Sequence, residues 1–208
     1  MAARELVGWQ ACALLLAATG LFSQLLADRG VRLPTAQTLA NYALLSVHLV
    51  CWWRGARARG ERAPTSSARP WQWLLLAVAD VEANYLLVLS YQYTDITSVT
   101  LLDAFTVPCV MALSAGLFGA RYSRRQLIAV GLCLGGLAVL VATDVSLGAP
   151  SHAPHRVPWL GDLLVLAGAA LYAVSNVVEE RFLRAHSRED FLGHLGAYGA
   201  AVSAGQCA

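Results

Sequence analysis

Along the chain, long apolar stretches alternate with short polar bursts. A helix crosses a bilayer with about 20 mostly apolar residues. By that measure the pattern predicts membrane-spanning helices over residues 6–27, 36–53, 71–93, 97–119, 126–142 and 159–178. A seventh apolar run, 191–208, is short and polar-tipped. The first run is too long for a cleaved leader, lacks a convincing cleavage site and precedes further spans, so it reads as a retained helix.

Residues 14–23, LLLAATGLFS, match 164–173, LVLAGAALYA, in their apolar, small and aromatic positions. Counting spans, the two segments cross the membrane in opposite directions, as an inverted repeat of five spans requires. The expected architecture is therefore an all-α multipass membrane protein. A first five-helix repeat covers 6–142, an extracytoplasmic loop 143–158, and the start of an inverted second repeat 159–208. On this reading the 208 residues hold one unit and part of its partner.

Composition supports the membrane assignment. The chain is 57% hydrophobic and 13% charged, against about a quarter charged in soluble domains, and its mean hydropathy is +0.54. All fifteen basic residues are arginine, and twelve of them fall on one side of the membrane if the N-terminus is cytoplasmic. Arg29, Arg32 and Arg156 are the remainder, so the positive-inside rule favours that orientation. A net charge of +2 gives no ground for nucleic acid as a partner; the bilayer and a small solute are the expected ones. The five cysteines form no C-x-x-C pair and read as free thiols, with no metal or cofactor implied.

Polar residues inside the spans carry the functional question. Asp80, Glu82 and Asn84 lie within 71–93, where a carboxylate costs several kcal/mol, roughly 2.5–3.5 on insertion scales. Glu82 is the midpoint of that stretch, about 16 Å from either end. Asp80 and Asn84 share a face by i,i+4 spacing, and Glu82 looks the other way. In the next span Asp103 lies about 9 Å from the outer end, and Pro108 at its centre permits a kink or hinge. Gly131 and Gly135 have G-x-x-x-G spacing and read as a close-packing face. Ser175, Asn176, Glu179 and Glu180 close the sixth span, where solvation is the expectation for the two glutamates. No H-E-x-x-H or G-x-S-x-G motif is present, and Asp80 and Asp103 fall at different depths, which argues against a paired-aspartate protease or another enzyme.

ADVEANY (79–85), SYQYTDITSVTLLDAFTVPCVMALS (90–114), GDLLVLAGAALYAVSNVVEE (161–180) and SREDFLG (187–193) together resemble the F-type branch of solute carrier family 35, in the drug/metabolite transporter superfamily. The resemblance covers nearly the whole chain in order. It implies ten transmembrane helices in two inverted five-helix repeats, a central solute site and alternating access. It extends position by position to Asp80, Glu82, Asn84, Tyr85, Tyr91, Gln92, Tyr93, Asp103, Pro108, Ser175, Asn176 and Glu179. The candidate solute- or proton-pathway residues are thus Asp80, Glu82, Asn84, Tyr91, Asp103 and Asn176, with Pro108 as the hinge. A nucleotide-, nucleoside- or nucleobase-like solute is expected, in the plasma membrane or an endomembrane. Because the family continues through a tenth helix, a rival reading is a truncated, non-transporting isoform that acts as a partner or competitor of a full-length transporter; a homo- or hetero-oligomer is an expected partner state.

Overall fold

A computed structural model describes residues 2–31, 33–58, 69–148, 157–184, 186 and 188–207. Among them the chain is helical throughout, without a strand. The elements are α1 (Ala2–Asp28), α2 (Pro34–Ala58), α3 (Pro70–Ser90), α4 (Ile96–Asp103), α5 (Thr106–Phe118), α6 (Arg124–Thr143), α7 (Pro158–Leu183) and α8 (Arg188–Cys207). A π-helical turn, Asp144–Gly148, prolongs α6. Most of the Arg-rich connection after α2 and residues 149–156 of the expected extracytoplasmic loop lie outside the described residues.

Local chemistry sets the boundaries. Proline opens α3 and α7, where a missing N–H costs nothing. The Asp95 side chain accepts from the Ser98 N–H at 2.8 Å and starts α4. Gly119 ends α5 in the left-handed conformation, φ 64°. The expected kink is present one turn before Pro108, since α4 stops at Asp103 and α5 restarts at Thr106. The proline ring excludes the carbonyl of residue 104 from a regular i−4 bond, and the Val107 N–H bonds that carbonyl instead, at 3.1 Å.

Five segments are long and apolar enough to cross a membrane: Leu6–Asp28, Pro70–Ser90, Ile96–Phe118, Arg124–Ser146 and Pro158–Leu183. α2 and α8 fall short on apolar composition, and they pack on each other more extensively than any other pair. α8 also begins earlier than the apolar run suggested, at Arg188.

Facing residues fix the helix directions. A methyl group on Gly161 would meet Thr94, and one on Gly168 would meet the Ala83 carbonyl. Further along α7, Ser175 bonds Asp80 and Phe182 packs on Trp73. α7 therefore runs antiparallel to α3. Along α8, Gly193, Gly196 and Gly199 face Leu49, Ser46 and Tyr42 in turn, so α8 is antiparallel to α2. By contrast, Gly131 and Gly135 have nothing within 4 Å. The expected G-x-x-x-G packing face on α6 is not used in this structure, because no neighbouring helix approaches it.

Two apolar clusters close the two ends. Trp73, Leu76, Ala77, Phe191 and Leu195 form one, beside the helix ends that carry Arg69, Arg181, Arg184 and Arg188. Tyr91, Val99, Leu102, Leu137 and Val165 form the other, near Asp95, Asp144 and Asp162. We refer to these as the arginine end and the aspartate end.

Candidate functional site

α3 stops at Ser90, not at residue 93, because the Gln92 and Tyr93 N–H groups turn back to Leu89 and Ser90. The helix centre therefore shifts from Glu82 to Asp80, which is ten residues from both Pro70 and Ser90, about 15 Å from each. Around it the structure places one hydroxyl from each flanking helix. Tyr42 Oη, from α2, donates to Asp80 Oδ2 at 2.7 Å. Ser175 Oγ, from α7, donates to Asp80 Oδ1 at 3.1 Å. Tyr42 is 4% exposed and Ser175 is fully buried.

Ser175 also lies 3.4 Å from Glu179 Oε1, one turn along α7. The sequence expectation of a solvated Glu179 is thereby corrected. α7 carries it into the helix interface, half-buried and aimed at Ser175, while Glu180 next to it faces outward and pairs with Arg184. A serine hydroxyl has one proton to give. When Ser175 donates to Asp80, its contact with Glu179 is a hydrogen bond only if Glu179 is itself protonated. Asp80, Ser175 and Glu179 thus form a chain along which a proton can be passed by reorienting one hydroxyl.

The polar layer extends through Tyr172, which is in electrostatic reach of Asp80, Asp103, Glu179 and Tyr91. Tyr91 is buried; its hydroxyl is the nearest group to Gly20 of α1. Asp103 is half-buried beside the Thr106 hydroxyl, and its Oδ1 and Thr106 Oγ1 make no hydrogen bond of regular geometry among the described residues. Both atoms sit at the α4–α5 break.

Of the six candidates, then, Asp80, Tyr91 and Asp103 are all in electrostatic reach of Tyr172. Glu82 stands apart, half-buried on another face of α3, and accepts from Gln206 Nε2 near the end of α8. Asn84 is half-buried on α3, and Asn176 is exposed on α7. Sequence reading missed Tyr42 altogether. Its signal was a hydroxyl in the less apolar second helix.

Among the described residues, cavities open at both ends of the helix bundle. The larger, about 370 Å³, opens between α5 and α7 at the arginine end and is lined by Ser114, Phe118, Tyr122, Glu180, Arg181 and Arg184. The smaller, about 230 Å³, lies among α1, α2 and α3 and reaches Gln92, next to Tyr91.

Apolar helices long enough to span a membrane, with carboxylates and hydroxyls gathered between them, define an all-α multipass membrane protein. The family model for solute carrier family 35 matches residues 4–208, and the chain belongs to that family. It is 40% identical over 195 residues to solute carrier family 35 member F2 of Mus musculus, covering 93% of this chain and 52% of the relative. The Xenopus tropicalis member F2 is 34% identical over 180 residues, 84% of this chain and 46% of the relative. An uncharacterised family 35 member of Schizosaccharomyces pombe is 34% identical over 171 residues, 82% of this chain and 34% of that protein. The chain thus spans about half the length, or less, of the relatives it matches. Family membership points to solute transport, not enzyme chemistry.

Proposed function

We propose that this chain contributes one half of a secondary transporter for a small organic solute of nucleotide, nucleoside or nucleobase type, working by alternating access. The observation that carries the reading is the Tyr42–Asp80–Ser175–Glu179 chain. An acid at a span's centre is too costly to keep for packing alone, and this one is joined to a second carboxylate through a single rotatable hydroxyl. Asp80, Ser175 and Glu179 carry the proton step, Tyr172, Tyr91 and Asp103 line the solute path, and the α4–α5 break at Pro108 is the hinge. The arginine end is cytoplasmic by the positive-inside rule, which puts the N-terminus inside, in a plasma membrane or endomembrane.

The test is uptake of labelled nucleosides and nucleobases by proteoliposomes. The protein is taken in the longest natural reading frame that contains this sequence. Asp80→Asn should abolish saturable uptake at unchanged expression. Glu179→Gln should remove its pH dependence while leaving exchange of solute for solute. Wild-type-like uptake and pH profile in both variants would overturn the assignment.

A further inference from the structure

The larger cavity, at the arginine end, takes no part in the proposed proton chain, since none of Tyr42, Asp80, Ser175 or Glu179 lines it. Its level in the membrane follows from where two spans stop. The apolar segments Ile96–Phe118 and Pro158–Leu183 end on either side of it, so it opens where hydrocarbon gives way to headgroups. Phe118, Leu117 and Leu183 are exposed at those two helix ends, and lipid can reach the opening from the side. α7 supplies Arg181 and Arg184, which share a face by i,i+3 spacing. Arg184 pairs with Glu180, another lining residue, whereas Arg181 has no carboxylate partner among the described residues. The cavity thus carries two guanidinium groups against one carboxylate. Ser114 lies one turn deeper than Phe118 on α5 and is 8% exposed. It lines the same cavity, and its hydroxyl makes no hydrogen bond among the described residues.

We propose that this cavity binds the phosphate headgroup of an anionic phospholipid from the leaflet at the arginine end. A guanidinium fork offers a phosphate two parallel N–H···O bonds, and it is more weakly hydrated than an ammonium, which suits a site partly closed off from water. Arg181 supplies the unpaired charge. Arg184 is held on one side by Glu180 and keeps further N–H donors for a second phosphate oxygen. Below them the Ser114 hydroxyl is a ready donor for a glycerol or ester oxygen. Two observations favour a lipid over a free anion. The cavity, about 370 Å³, is far larger than a phosphate alone would fill. Its remaining lining, Phe118, Ala120 and the Tyr122 ring, is apolar and suits the glycerol and upper acyl chains. The excess positive charge selects an anionic headgroup, because the choline of a zwitterionic lipid would be set against a guanidinium. A lipid seated here joins the end of α5 to the end of α7. Which leaflet this is rests on the orientation proposed above, but the binding does not.

Native mass spectrometry tests this, on the purified protein in the longest natural reading frame that contains this sequence. Titration with phosphatidylserine should give a saturable adduct, about tenfold tighter than that of phosphatidylcholine. Arg181→Gln, at an exposed position, should weaken the phosphatidylserine adduct about tenfold. Ala120→Trp fills the cavity without removing a charge and should weaken it as much; Phe118→Trp serves in its place if that variant does not fold. Arg57→Gln removes the same charge from the exposed end of α2 at this end of the bundle and should leave binding unchanged. Inorganic phosphate in large excess should not displace the lipid. Equal binding of phosphatidylcholine, or wild-type affinity in either cavity variant, would overturn the proposal. So would an equal loss in Arg57→Gln, which means diffuse surface charge, or displacement by inorganic phosphate, which means a free-anion site.

Discussion

α2 and α8 are the least apolar of the long helices, yet they make the most extensive interface; α6, the most apolar span, makes almost none, and α1 likewise. In the α1 span only Ser23 and Gln24 are buried, and in the α6 span only Leu137, among the described residues. In water the order would be reversed. In a bilayer, lipid tails solvate leucine as well as another helix does, so apolar surface gives no reason to associate. What draws helices together is close backbone approach at small residues and the satisfaction of polar groups. α8 supplies Gly193, Gly196 and Gly199, and α2 supplies Tyr42 and Ser46. Arg124–Ser146 has glycines too, but they face open space. The lesson is that a glycine stripe becomes an interface only where the facing helix has something polar to hide.

The same substitution on the two helices should change stability in opposite directions. Gly196→Ala would drive a Cβ into the Ser46 backbone nitrogen, so the α2–α8 pair must separate. We expect a loss of about 3 kcal/mol, visible as a lower thermal midpoint of the purified chain. A midpoint within error of wild type would break the comparison. Next in size is Tyr42→Phe, which keeps the ring against Gly199 but leaves Asp80 Oδ2 without its donor. That should cost about 1–2 kcal/mol and lower uptake, whereas a stability loss without a transport defect would make Tyr42 a packing residue only. Smallest is Gly135→Ala on the open face of α6, where the added methyl meets nothing. Better helix propensity should stabilise by at most about 1 kcal/mol, and any destabilisation would show that this face has a partner.

Five of the six expected spans were legible in the sequence because bilayer thickness dictates the length of an apolar run, whereas 36–53 falls short on apolar composition; the α4–α5 break was legible because proline has one mechanical effect. The end of α3 was not. The apolar and aromatic pattern runs smoothly through Tyr93, and only the turn at Tyr91–Thr94 shows that Asp80, not Glu82, is central. Glu179 was misplaced for a related reason. Its position near a helix end suggested water, but its face of α7 is fixed by Ser175, and faces are set by the neighbour. The α8 seam escaped because glycines three apart do not fit the G-x-x-x-G template. Ser203, fully buried four residues after Gly199, continues that stripe and is the signal that would have exposed it.

The α2–α8 pairing also sets an order of events during synthesis. Ser46 meets Gly196, 150 residues later in the chain (196 − 46). At about 5–20 residues per second, a ribosome leaves α2 waiting about 8–30 s for its partner. During that interval Tyr42 and Ser46 have no α8 to cover them. A stalled or slowed ribosome between the two would lengthen the period in which this face of α2 stands uncovered.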